Sequence, residues 1–287
     1  MSLFGNWISD ENLENLKKQF SESLFGGHVV IEQFLKEEIV DELYKEFPMD
    51  LERYHKYRNP LEVKYAFDKI EELSENYKNL FCALGSEDFI KKIQHITGIE
   101  SLEKDEFLHG AGLHVHPRYG RLHLHLDYEK HPIYVETPKQ RHLNMILYMS
   151  KEWNDEWNGA TELWGANEDG KPSTTMYKSN VVYNRAIIFK TTEESWHGLP
   201  EPLQCPDNIY RKSIAYYWIS DLKSRKDTNK HGSNDNGYRE KACFVKRPDD
   251  KSYPGDNIGK LYEIRPYRRI TDDDIKAYTP NWSPEKY

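Results

Sequence analysis

In Leu122-His123-Leu124-His125-Leu126-Asp127, apolar and ligand-type residues alternate with a period of two. A β-strand of this sequence turns His123, His125 and Asp127 to one face and the three leucines to the other. A histidine and an aspartate two residues apart supply two corners of an iron site, provided a second histidine arrives from elsewhere. That histidine is His197, in the segment from Ile187-Ile188-Phe189 to Ser195-Trp196-His197-Gly198-Leu199-Pro200. There an apolar strand runs into a short loop, and the histidine opens the next strand. Two histidines and one carboxylate form the facial triad of non-haem iron(II), which leaves positions open for substrate and oxygen. Further on, Arg211-Lys212-Ser213 places Arg211 and Ser213 on one strand face. An arginine beside such a site offers a rigid fork to a carboxylate.

Spacing alone leaves an alternative triad of His123, His125 and His197, since His123 shares the face of His125. His114 and His116, in the histidine-rich stretch 109–123, are either substrate contacts or bystanders. Arg141 reads as a solvated charge at the head of a strand, with an acidic substrate as the other reading. Trp153, Trp157 and Trp164 read as core and rim packing.

The elements that must position these residues change character along the chain. Helices dominate the first hundred residues: one over 10–24 with Ser9 as N-cap and Gly26-Gly27 ending it, a second over 36–47 stopped by Pro48, and two more near 67–83 and 87–96, the last closed by Gly98. A short strand precedes the second helix at 28–35, and residues 50–65 read as charged and irregular around Pro60. From about 103 to 222 the chain offers short apolar or alternating runs at 105–110, 113–116, 122–127, 141–150, 160–165, 174–178, 186–190 and 211–219. Many short strands after a run of helices predict a mainly β fold with flanking helices (α+β), a jelly roll with helices packed outside. The domain division is then 1–222, with a helical N-terminal region over 1–100 and a jelly-roll core over 103–222, followed by 223–287. Residues 223–241 are polar without apolar periodicity, a linker or a loop that could close over substrate. The proline- and tyrosine-rich tail from Ala242 predicts an extended segment docked on the main body.

Composition excludes several function classes. A net charge of −8 gives no basic footprint for nucleic acid. No apolar run approaches the length of a membrane span, and the first residues lack the marks of a signal peptide. The three cysteines, Cys82, Cys205 and Cys243, are scattered and lack metal spacing, which suits a reducing compartment and a cytoplasmic location.

On several separate segments, residues 28–222 resemble the iron(II)- and 2-oxoglutarate-dependent dioxygenases, and within them the prolyl 4-hydroxylase-like group. His125-x-Asp127 and His197 match that family's metal triad. Arg211-x-Ser213 matches the pair that grips the distal carboxylate of 2-oxoglutarate. The run Arg141 to Trp153, the turn and strand Asn158-Gly159-Ala160-Thr161-Glu162-Leu163, and the segment Ala186 to Leu203 are similar to the family's connecting strands. The resemblance implies a double-stranded β-helix and a reaction in which oxygen decarboxylates 2-oxoglutarate to succinate and CO2 while an unactivated C–H bond is hydroxylated. It implies Fe(II) as cofactor, 2-oxoglutarate and O2 as cosubstrates, and ascorbate as an optional addition. It further implies that Tyr148, or Asn144 on the same strand face, helps hold the distal carboxylate. Asn158 stands where the family has a first glycine, a mild change because asparagine tolerates turn conformations with positive φ. Asp127 favours hydroxylation over halogenation, since related halogenases carry a small residue there. The substrate is a protein or peptide, with a prolyl residue the first expectation, or a small molecule. The contrasting reading is a jelly-roll binding module without catalysis.

Overall fold

The computed structural model describes residues 2–23, 27–191, 194–222, 238–248 and 256–285. Most of the polar 223–241 segment, Gly26 and residues 192–193 therefore lie outside the described residues, and with them any closing role for 223–237. The elements in chain order begin with α1 (Asp10–Glu22), β1 (His28–Ile31) and α2 (Glu37–Lys45). Then come β2 (His55–Asn59), β3 (Glu62–Phe67), α3 (Glu75–Leu84), α4 (Glu87–Thr97) and β4 (Glu103–Lys104). The sheet continues through β5 (Gly112–His116), β6 (Arg121–Leu126), β7 (Lys139–Tyr148), β8 (Thr161–Ala166), β9 (Pro172–Ser179), β10 (Ala186–Lys190), β11 (Trp196–Leu199) and β12 (Arg211–Asp221). The chain closes with β13 (Cys243–Phe244), α5 (Ile258–Ile264) and α6 (Asp272–Tyr278).

All strand pairings are antiparallel, in the order β1-β10-β7-β12-β5-β3-β6-β11-β8-β9, curled into the half-barrel of a jelly roll. Alternation along the long central strands explains both layers. Leu143, Met145 and Leu147 of β7, with Ile214, Tyr216 and Trp218 of β12, turn outward and pack with Leu80, Leu84, Phe89 and Ile93 of α3 and α4 in one buried cluster. The intervening residues turn inward in register: Tyr148 opposite Ser213, Ile146 opposite Ala215 and Asn144 opposite Tyr217. The sheet thus buries its apolar face under the helices and keeps its ligand-type face for the barrel. Truncating a buried leucine such as Leu147 to alanine would cost about 2–5 kcal/mol. Among the described residues no helix is long and apolar enough to cross a membrane.

Several elements differ from the sequence expectation. Residues 50–65 are not irregular but carry the β2–β3 hairpin, because the Asn59 side chain accepts from the backbone N–H of Leu61 and Glu62 and closes the turn around Pro60. That hairpin takes the start of the helix expected at 67–83, so α3 begins only at Glu75. The strand expected at 105–110 is a loop, since Asp105 accepts from the N–H groups of Phe107 and His109 and Leu108 has φ 47°. Ser9 occupies the N-cap of α1 without a side-chain cap, whereas Gly98 ends α4 in the left-handed conformation as anticipated. The tail is not extended throughout. It forms α5 and α6, the latter started by a Thr271–Asp274 capping box. Phe244, Ile258, Leu261 and Tyr262 of this tail cluster with Leu61 of the hairpin turn.

Candidate metal and cosubstrate site

β6 and β11 lie side by side with His197 directly opposite His125. Asp127 follows β6 immediately and completes a buried cluster in which one ligand atom from each of His125, Asp127 and His197 lies within 4.8 Å of the others. The two imidazole Nε2 atoms stand 3.7 and 3.8 Å from the Asp127 carboxylate oxygens. Each ring is oriented from behind by a main-chain carbonyl: Nδ1 of His125 donates to His123 O at 2.9 Å, and Nδ1 of His197 to Ser195 O at 2.8 Å. With the proton held on Nδ1, the Nε2 lone pairs face the centre of the cluster. Burial pushes His125 down to about 3, assisted by His197, and burial also lowers His197, so both are neutral at ordinary pH. Burial opposes the charge on Asp127, but the Arg141 guanidinium beside it overcomes this and holds the carboxyl well below the usual range. Its Oδ2 is buried without a hydrogen-bond partner. An orphaned carboxylate oxygen between two imidazole lone pairs is the donor set a divalent iron requires.

His123 does not join this cluster. Its Nδ1 meets the Tyr262 hydroxyl at 2.9 Å, which ties β6 to α5 and leaves His123 outside the cluster.

Arg211 opens β12, in register with His116 of β5, and is 1% exposed. Its Nε donates to Gly159 O at 2.7 Å and its Nη2 to Thr161 Oγ1 at 3.1 Å. Gly159 has φ 93°, and a Cβ there would come within 3.2 Å of the Arg211 Cδ, so the turn must be glycine for the arginine to lie against it. No carboxylate among the described residues pairs with this guanidinium. Burial lowers its pKa, and only Tyr148 works against that. A buried, directed and uncompensated cation is a receptor for an anionic group.

Tyr148 is wholly buried, with its ring 5.1 Å from the Arg211 guanidinium. Its hydroxyl is 2.8 Å from Thr161 Oγ1 and donates to Ser179 O at 3.0 Å. Tyr148 therefore braces Thr161, which holds Arg211. Ser213 lies two residues along from Arg211, opposite both Tyr148 and His114. Asn144 lines the cavity beside the cluster, and its Oδ1 is buried without a partner.

Arg141 is not a solvated charge. It is buried between the rings of Tyr217 and Tyr128, with the guanidinium 3.3 and 4.0 Å from their centroids, and its Nη1 lies 3.2 Å from Asp127 Oδ1. Its Nη2 donates to His109 O and the Tyr128 hydroxyl. His114 lines the cavity, while both ring nitrogens of the buried His116 lack partners. Sequence reasoning also missed Lys64, which the β2–β3 hairpin delivers to the same cavity. Thr161 and Gly159 were visible as a turn and strand but carried no sign that they hold Arg211. Trp153 and Trp157 pack edge to face at 5.5 Å, while Trp164 belongs to a separate cluster.

A jelly roll that gathers a buried His-x-Asp, a facing His and, on another strand of the same sheet, an arginine with no carboxylate partner among the described residues has a donor set for a divalent metal and a receptor for an anionic group. Residues 111–220 match the family described as the 2OG-Fe(II) oxygenase superfamily, and this stretch of the chain is a 2OG-Fe(II) oxygenase domain. The protein is accordingly an oxygenase dependent on Fe(II), 2-oxoglutarate and O2. The fold is similar to that of a prolyl hydroxylase from Trichoplax adhaerens, solved with a hypoxia inducible factor oxygen degradation domain peptide fragment, at 14% identity over 73% of this chain and 91% of that one (TM-score 0.53). It is also similar to a prolyl-4-hydroxylase from Pseudomonas putida, at 15% identity over 74% of this chain and all of that one (TM-score 0.51). No curated protein matches the chain in sequence.

Proposed function

We propose that His125, Asp127 and His197 hold the Fe(II) of this oxygenase, that Arg211 with Ser213 grips the distal carboxylate of 2-oxoglutarate, and that the enzyme hydroxylates an unactivated C–H bond of a substrate held in the adjoining cavity. The observation that carries the residue assignment is the pairing of an orphaned Asp127 oxygen with an uncompensated buried Arg211 inside one barrel. Bound Fe(II) supplies oxygen activation driven by decarboxylation of 2-oxoglutarate to succinate and CO2.

The chain's own groups do the rest. The main-chain carbonyls of His123 and Ser195 keep the imidazoles in the ligating tautomer. Arg141 occupies one oxygen of Asp127 and leaves the other for the metal. Tyr148, Thr161 and Gly159 fix the Arg211 fork, and Asn144 keeps an unspent amide oxygen beside the reacting centre. The cavity, about 560 Å³, is in the range that encloses a small molecule or one side chain of a peptide and sheds its water. Pairing of β13 with β6 supports taking 1–222 as the oxygenase domain with the later residues docked on it. Unpaired Cys82, Cys205 and Cys243 support a reducing, cytoplasmic setting.

The test is succinate release from 2-oxoglutarate by the purified protein. Release should require Fe(II), be abolished in Asp127→Ala and His197→Ala, and survive Arg211→Lys only at much higher 2-oxoglutarate. Iron-loaded protein that binds no 2-oxoglutarate would overturn the reading.

A further inference from the structure

The wall of the cavity facing the ligands is built largely from two pieces of chain outside the oxygenase match, the β2–β3 hairpin and the C-terminal tail. Together they gather cations. Lys64 of β3 projects beside Glu62, at 3.8 Å, and Arg265, just after α5, approaches the same carboxylate at 3.7 Å. One buried acid thus serves two bases. Arg269, on the turn before α6, meets a ring nitrogen of His55 at 3.5 Å and has no ion pair with an acid among the described residues. Of the other acids lining the cavity, Asp127 is held by Arg141 and Glu240 stands 3.6 Å from Lys130, which leaves the exposed Asp68. Burial lowers the pKa of Lys64, with Glu62 and Asp127 opposing.

A cationic lining in a protein of net charge −8 is a local reversal of sign. Charges of one sign in a cleft with low-dielectric walls concentrate oppositely charged ligands. Arg211 is not the source of this excess, because it does not line this cavity. The aromatic faces of Tyr57, 5.0 Å from the Lys64 ammonium, and Phe244, 5.4 Å from the Arg265 guanidinium, keep the two cations in place without neutralising them.

Resting on the oxygenase reading, we propose that the substrate is a small polar molecule bearing an anionic group, carboxylate or phosphate, received by Arg265 and Arg269 with Lys64 behind them. The anion is held at the mouth, and the C–H bond to be hydroxylated lies further in, towards the metal ligands. Specificity then resides in the hairpin and the tail, and the matched domain supplies the chemistry.

The experiment is calorimetric titration of the Zn(II)-loaded protein, saturated with 2-oxoglutarate, with O-phospho-L-serine, N-acetyl-L-aspartate and the neutral N-acetyl-L-asparaginamide. The proposal expects at least one anion to bind, the amide to bind at least tenfold more weakly, and R265Q/R269Q to lose at least tenfold in anion affinity while its 2-oxoglutarate affinity is unchanged. The two anions distinguish a phosphate from a carboxylate preference. R269E, at an exposed position, serves if the double variant does not fold. Amide binding equal to that of the anions, undiminished binding by the variants, or no binding of either anion would overturn the proposal. Anion binding by a protein that never yields succinate from 2-oxoglutarate would instead sink the catalytic reading and leave the anion site standing.

Discussion

Arg141 Nη1 stands 3.2 Å from Asp127 Oδ1, so an aspartate read as a metal ligand also forms a buried ion pair. The guanidinium is clamped between two tyrosine rings, and Asp127 cannot rotate without breaking that contact. Arg141 is thus a positioning residue acting through Asp127.

Removing it should be costly in a specific way. Arg141→Ala leaves a buried carboxylate without its cation, a loss of about 3–5 kcal/mol in the metal-free protein. A divalent ion restores some of the missing charge compensation. Urea unfolding with and without Zn(II) should therefore show a larger metal-induced stabilisation in the variant than in the wild type. Equal gains would mean that Arg141 does not act on Asp127.

The metal itself should stabilise the fold. Ligand present at a thousand times its Kd adds about 4 kcal/mol. Differential scanning fluorimetry should show a rise in Tm with Fe(II) or Zn(II), reversed by a chelator and absent in His197→Ala.

Arg211 should separate cosubstrate from metal. Loss of a buried, charge-assisted anion contact is worth about 2–5 kcal/mol, so Arg211→Ala should raise the 2-oxoglutarate KM by roughly two orders of magnitude. Metal affinity measured by calorimetry should be nearly unchanged. Equal loss of both would make Arg211 a structural residue.

The buried histidines set a pH dependence. Burial, followed by the nearby Arg121, pushes His123 down to about 3, and burial with neighbouring cations also lowers His114 and His116. Folded-state values below the ordinary 6.5 mean that the unfolded chain takes up protons first as pH falls. Stability is complete above 6.5 and declines towards pH 3, by up to about 1.4 kcal/mol per pH unit for each such histidine. Denaturant midpoints of the metal-free protein at pH 7.5, 6 and 5 should fall in that order. A flat profile would show that these rings are not buried in solution.

The gathering of His125, Asp127 and His197 and the strand position of Arg211 were legible because residue chemistry and the period of a strand reinforce one another. An alternating His-x-Asp, a histidine opening a later strand and Arg-x-Ser each have few other uses in that order. Lys64 and Arg141 were not legible. A lysine in a charged stretch reads as solvated until β3 is known to lie between β5 and β6, a pairing set by contacts far apart in sequence. The charge at the head of β7 looks the same whether it faces water or Asp127. The short α5 and α6 were hidden among prolines, although Thr271-x-x-Asp274 carried a capping signal that local inspection could have caught. Tyr148 was located on the correct strand face, but its hydroxyl is spent on Ser179, a partner no local pattern announces.

Phe244 pairs with His125 across the outer edge of β6 and stacks on its ring at 5.0 Å. During synthesis, the histidine half of that strand has an uncovered edge until residue 244 has left the ribosome. The cluster of His125, Asp127 and His197, encoded in the middle of the chain, is therefore walled in on this side only by residues made some fifty positions after its last member.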